Sequence, residues 1–306
     1  MLLPATLAFD QPSPETIAEH LVPEPFTETR PVEAHASAIS ADSPTTSREV
    51  AHCERLSHLN AGSRLFCFHD AGGAASMFLP LVQMAGAGVE IHTISHNRLA
   101  PPDSQRGRQY LKAAVAYVRS LSDRPYAFFG HSVGALLAWR VAQEIVEGGG
   151  LQPLFLAPSG APPVTPVEGF ALDVSIVMDA LLGARTVVTP ASLASFQSDF
   201  ATDLALWQML PPTSKRPFPI PIAAFLGSED TFVTQPAMKT WGGQTTRDFS
   251  ITVLPGDHFY PHRKELQQAL AKELARAFFD ASFSSITHDE LATRRIGRER
   301  KVAIEP

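Results

Sequence analysis

Cysteine is almost missing from this chain: Cys53 and Cys67 are the only two in 306 residues, too few for a disulfide framework. Neither His-Glu-x-x-His nor Cys-x-x-Cys occurs, so both common zinc patterns are absent and no metal is expected. The Walker pattern and Gly-x-Gly-x-x-Gly are missing as well, which removes the usual phosphate and dinucleotide cradles, and no cofactor is expected. No apolar run is long enough to span a bilayer. Met1-Leu2-Leu3-Pro4 opens an apolar run that is too short for a signal peptide and has no basic flank. The expectation is a cytoplasmic protein with no membrane partner. Basic residues with interleaved aromatics are lacking too, which argues against nucleic acid.

What charge there is lies unevenly. Residues 1 to 60 hold nine acidic side chains against three arginines, so the whole formal charge of −6 falls there and the remainder is neutral. With seven prolines spread from Pro4 to Pro44, residues 1–50 are expected to form a mostly disordered acidic leader, either plain linker or docking tail. A basic cluster, Arg294, Arg295, Arg298, Arg300 and Lys301, marks a C-terminal tail over 283–306 that could attract an acidic carrier. Between them, 51–282 is expected to be one enzyme domain. At 44% apolar and 18% charged overall, the chain can fill a single large core.

The most informative stretch is Gly130-His131-Ser132-Val133-Gly134, a Gly-x-Ser-x-Gly pattern. Tyr126-Ala127-Phe128-Phe129 before it suits a buried parallel strand, and Ala135 to Ala142 after it is a good helix former. That context predicts a nucleophile elbow that presents Ser132 at the top of a sheet, with the glycines allowing close approach of helix to strand. The alternative is a tight strand-to-helix turn with an inert serine.

A nucleophilic serine needs a histidine held by a carboxylate, and elbow enzymes carry these in the order Ser, acid, His. That order leaves His258, His262 and His288. His258 follows the strand-like Phe249–Leu254 and precedes a helical pattern through Leu266, Leu270, Leu274 and Phe278, so it sits in a loop at a strand's C-terminal end. His262 and His288 read as solvated. The acid predicted is Asp230, in the loop after the strand-like Pro219–Leu226. Glu229 is its neighbour and alternative, and Asp257 reads as a loop-shaping residue. The oxyanion needs backbone N–H donors. Val133, after the nucleophile, supplies one. The glycine-rich turn after Leu65–Phe68 supplies the other, from Ala71 or alternatively Asp70.

About fifty residues separate the strand near Pro153 from the one near Ile222, too many for a plain loop. A helical lid over about 166–214 is expected. Thr189-Pro190 starts a helix on which Leu193, Phe196, Phe200, Leu204 and Trp207 share a face, while Met178 belongs to a second apolar stretch. Phe196, Phe200, Trp207 and Met178 are candidates to line an acyl channel.

Phe66-Cys67-Phe68-His69-Asp70-Ala71-Gly72-Gly73, Gly130 to Leu136, Gly227-Ser228-Glu229-Asp230 and Pro255-Gly256-Asp257-His258-Phe259 together resemble the type II thioesterases of polyketide and non-ribosomal peptide synthesis, over about residues 63 to 280. The resemblance implies an α/β-hydrolase fold: a mostly parallel sheet with helices on both faces and a helical lid insertion. It further implies hydrolysis of acyl thioesters on the phosphopantetheine arm of an acyl or peptidyl carrier protein, with Ser132, Asp230 and His258 as the triad. His69-Asp70 stands where the family usually has Pro, and His96-Asn97-Arg98 where it has Pro-Gly-Arg. An oxyester hydrolase, an acyltransferase and a non-catalytic carrier-binding module are the readings that remain open beside it.

Overall fold

Seven strands form one sheet in the order β1-β3-β2-β4-β5-β6-β7. The computed structural model describes residues 50–57, 61–98, 102–163, 190–211, 216–263 and 266–281, with the side chains of 83–87 and 190–193 excepted. The expected leader before Val50, the basic tail, Met178, His288 and the insertion between 164 and 189 lie outside the described residues.

The strands are β1 (Ala51–Arg55), β2 (Ser63–Phe68), β3 (Val89–His96), β4 (Tyr126–His131), β5 (Leu156–Ser159), β6 (Ile222–Gly227) and β7 (Phe249–Leu254). β1 pairs antiparallel with β3 and every other pairing is parallel. β1 has no counterpart in the sequence reading: its Ala-His-Cys-Glu-Arg run shows no apolar pattern. Charged side chains suit an edge strand, which they protect from pairing with other chains.

Between the strands run α1 (Ser104–Ser120), α2 (Val133–Glu147), α3 (Pro190–Met209) and the short α4 (Gln235–Lys239), and α5 (266–281) follows β7. Ala75–Ala87 is a 3₁₀ helix with Pro80 inside it. Asp103 caps α1 by accepting the Arg106 N–H at 2.7 Å. Among the described residues no helix is long and apolar enough to cross a membrane.

The strand alternation sorts the core into two layers. Phe66, Phe68, Tyr126 and Phe128 face Tyr110 and Leu111 of α1, Leu136 and Val141 of α2, and Phe200 and Trp207 of α3. Leu65, Cys67, Ala127 and Phe129 face Phe78 and Leu81 of the 3₁₀ helix and Leu270, Leu274 and Phe278 of α5. Both faces of β2 and β4 are thus covered, which is why those strands read as unbroken apolar runs. Each fully buried Leu or Phe among them contributes about 1.5–3 kcal/mol.

This is the α/β-hydrolase architecture, with helices on both faces. Its topology also selects the place for chemistry. From β2 the chain crosses to β3 on one side and returns to β4 on the other, so the strand order reverses between β2 and β4. Open parallel sheets bind ligands outside the C-terminal ends of their strands at such a switch point. The residues after Phe68 and His131 lie there.

Candidate active site

Ser132 has φ 53° and ψ −124°, and among the described residues it is the one non-glycine with positive φ. Such strain persists only where the surroundings enforce it. Here the enforcement comes from two glycines. A Cβ on Gly130 would lie 2.2 Å from the Gly134 carbonyl oxygen, and one on Gly134 would lie 2.2 Å from that of Phe68. α2 therefore starts directly against the ends of β2 and β4, and the Ser132 N–H is anchored on the Ser159 carbonyl of β5 at 2.8 Å.

The loops after β6 and β7 are joined by backbone bonds from Ser228 N–H to Leu254 O and from Glu229 N–H to Gly256 O, both 2.8 Å. This seats Asp230 beside His258. Asp230 Oδ1 accepts the N–H groups of Phe232 and Val233 at 2.9 Å each, and Oδ2 accepts from His258 Nδ1 at 2.8 Å. A neutral His258 then carries its proton on Nδ1, which leaves Nε2 as the acceptor. That Nε2 is buried and has no hydrogen-bond partner among the described residues. Phe232, Phe259 and His131 surround the ring, with centroids 5.1, 5.4 and 5.0 Å away. Glu229 is exposed. Asp257 accepts the Phe259 N–H at 3.0 Å and pairs with Arg263, so it shapes the loop.

Beneath the elbow His131 Nδ1 meets Ser159 Oγ at 2.9 Å, and that hydroxyl meets Tyr260 Oη at 2.7 Å. Burial, reinforced by the charge of His258, pulls the His131 pKa down to about 3, so this ring is neutral at working pH. His262 departs from expectation. Although its side chain remains 36% exposed, Nε2 binds Asp70 Oδ2 at 2.9 Å, so it is a structural partner and not simply solvated. Burial opposes ionisation of Asp70, but the charge and hydrogen bond of His262, with His131 and His69 close by, hold the carboxyl well below its usual range. Asp70 in turn raises the pKa of His262, against some desolvation.

Residues 70–73 form a turn closed by the Gly73 N–H on the Asp70 carbonyl at 3.1 Å. Gly72 has φ 72°, the value a type II turn needs at its third position. A Cβ there would also meet the Phe196 ring at 2.5 Å, so α3 rests on this turn. Val133 opens α2, where first-turn N–H groups lack intrahelical acceptors. Of the candidate channel residues, Phe196 is half-buried over Gly72 and 5.9 Å from Phe200 between centroids, whereas Phe200 and Trp207 are buried in the core layer with α1.

Two participants escaped the sequence reading. Asp203 of α3 accepts the Gly72 N–H at 3.0 Å, and Arg98, after β3, binds both that carboxylate and the Gly73 carbonyl. A signal existed: Asp203 is an acid within the apolar stripe of Phe196, Phe200 and Trp207, and a buried acid demands a partner. Among the described residues no group of three or more His, Cys, Asp or Glu side chains could hold a metal ion.

The gramicidin S biosynthesis protein GrsT of Aneurinibacillus migulanus is 29% identical over 230 residues, covering 69% of this chain and 88% of that protein. The thioesterase TesA of Mycobacterium marinum is 29% identical over 213 residues, 64% of this chain and 84% of TesA. Among solved structures, RedJ, a thioesterase of the prodiginine pathway in Streptomyces coelicolor, superposes with a TM-score of 0.59 at 23% identity, covering 79% of this chain and 91% of RedJ. The type II thioesterase BorB of the borrelidin cluster gives 0.59 at 21%, covering 74% of this chain and 96% of BorB. These two share the fold. Residues 63–278 match the thioesterase domain family as a whole, and the chain belongs to that family.

Proposed function

We propose that Ser132, His258 and Asp230 form the catalytic triad of this thioesterase, and that it releases acyl groups from the phosphopantetheine arm of acyl or peptidyl carrier proteins. The observation that carries the triad is His258 Nε2: buried and without a partner among the described residues, on a ring whose other nitrogen is held by Asp230. A base in waiting has this form.

In the first half-reaction Ser132 Oγ attacks the thioester carbonyl carbon while its proton passes to His258 Nε2. The oxyanion receives the N–H groups of Val133 and Ala71. The C–S bond then breaks, its electron pair stays on sulfur, and His258 returns the proton to the thiolate. In the second, a water gives its proton to His258 and its oxygen to the acyl carbon. The Ser132 ester bond breaks, and the proton goes back to Oγ, leaving a free acid and the restored enzyme. Asp230 keeps the imidazole in the correct tautomer and stabilises its cation. Ala71 suits its part because the turn's closing bond uses Gly73 N–H and Asp203 takes Gly72 N–H.

The carrier-bound substrate is supported by the biosynthetic setting named for GrsT and RedJ. A panel of acyl carrier-protein thioesters, acyl-CoA and p-nitrophenyl esters tests it. The carrier-bound thioesters should show the highest kcat/KM, and labelling by a serine-reactive phosphonate should be stoichiometric at Ser132. Preference for the free esters would instead favour an oxyester hydrolase.

A further inference from the structure

The carboxylate of Asp203 lies midway along α3 with its residue 2% exposed, and both of its oxygens accept hydrogen bonds. Oδ1 accepts from Arg98 Nε at 3.0 Å. Oδ2 accepts from Arg98 Nη2 at 2.5 Å and from the Gly72 backbone N–H at 3.0 Å. Arg98 Nη2 also donates to the Gly73 carbonyl at 2.8 Å, while Nη1 reaches Asp199 Oδ2 at 3.5 Å. His96 Nδ1 stands 3.8 Å from Oδ1. Burial alone would raise the Asp203 pKa, but His96 and the Arg98 guanidinium outweigh it and keep the group ionised.

Burying this pair is costly, and a hydrophobic pair of similar volume would often stabilise the protein as well or better. What the ion pair does that apolar residues could not is grip backbone. Its two members hold the N–H of Gly72 and the carbonyl of Gly73. Two adjacent glycines make an intrinsically soft turn. An oxyanion donor, by contrast, is effective only if fixed before the reaction.

We propose that Asp203, held by Arg98, is a positioning residue that makes the 70–73 turn rigid enough for Ala71 to serve as an oxyanion donor, so that the hole is complete only while α3 is seated. This role rests on the Ser132, His258 and Ala71 assignments above. It ties activity to the insertion between β5 and β6, since α3 carries both Asp203 and the Phe196 ring that covers Gly72.

The test compares wild type, Asp203→Ala, Asp203→Asn and Arg98→Gln on an acyl-thiol substrate. Three further readouts are inhibition by an acyl trifluoromethyl ketone, which forms a tetrahedral oxyanion on serine, inhibition by the product acid, and thermal melting. Asp203→Ala should lower kcat about tenfold to a hundredfold, less than the loss of a donor itself, with KM within about twofold. The trifluoromethyl ketone should weaken by the same factor, and the product acid should not. Asp203→Asn keeps an oxygen for the Gly72 N–H and should recover much of the loss, and Arg98→Gln should fall between. If Asp203→Ala does not fold, the Asn and Gln variants decide by the same comparison. Unchanged kcat, or equal weakening of ketone and acid, overturns the positioning role while Ser132 remains labelled by phosphonate. Failure of wild type to label at Ser132 overturns it together with the triad.

Discussion

His262 Nε2 and Asp70 Oδ2 lie 2.9 Å apart although 192 residues separate them in the chain. The contact joins the loop that carries His258 to the turn that carries Ala71. Asp203 binds the same turn through the Gly72 N–H, so the turn is held both by the β7 loop and by α3.

This pair makes stability depend on pH. The folded-state pKa of His262 is raised, so its contribution is complete below the unfolded value of about 6.5 and is lost as pH rises through the folded value. That of Asp70 is lowered, so its contribution is complete above about 3.9 and is lost as pH falls through the folded value. The melting difference between wild type and His262→Gln should therefore be largest between about pH 4 and 6.5 and shrink towards pH 9. Its size should be about 1 kcal/mol, a charged hydrogen bond discounted for exposure. A difference that stays constant from about pH 6.5 to about pH 9 would show that the pair is not ionic.

Ser132→Ala should remove turnover, by roughly a millionfold in kcat, while circular dichroism and melting stay near wild type. The side chain is small, and the elbow is enforced by its glycines. Residual hydrolysis near the wild-type rate would place the nucleophile elsewhere.

Asp230→Asn should lower kcat by about ten-thousandfold with KM little changed, because the amide favours the wrong histidine tautomer. Glu229→Gln and Asp257→Asn should each cost far less. Steady-state kinetics on one acyl-thiol substrate decides, and a crippling Glu229→Gln would move the acid to the neighbouring residue.

Gly134→Ala forces a methyl against two backbone carbonyls, those of Phe68 and His69, at 2.2 and 2.3 Å. Urea unfolding should show a loss of roughly 3 kcal/mol or more. Gly62→Ala meets nothing within 4 Å among the described residues and should stay within about 0.5 kcal/mol of wild type. Equal stabilities for the two variants would mean that α2 can pull away from β2.

Much of the architecture was legible because its signals are local. A Gly-x-Ser-x-Gly turn between Phe128 and Leu136, an apolar run ending at Leu226 and the Leu270, Leu274, Phe278 stripe each identify their own element within a dozen residues. The order Ser, acid, His then named Asp230 and His258, whose side chains the fold brings to 2.8 Å. β1 was not legible, since an edge strand with His52, Glu54 and Arg55 buries too little to imprint a period.

Local pattern and chain order thus set the elbow, the strand ends and the residue types offered to the site. Folding alone joined Arg98 to Asp203 across 105 residues and His262 to Asp70 across 192. No periodicity links such partners. They meet because the sheet order reverses between β2 and β4 and gathers loops from distant parts of the chain at one edge. There a buried charge is tolerated only if another distant loop supplies its counter-charge.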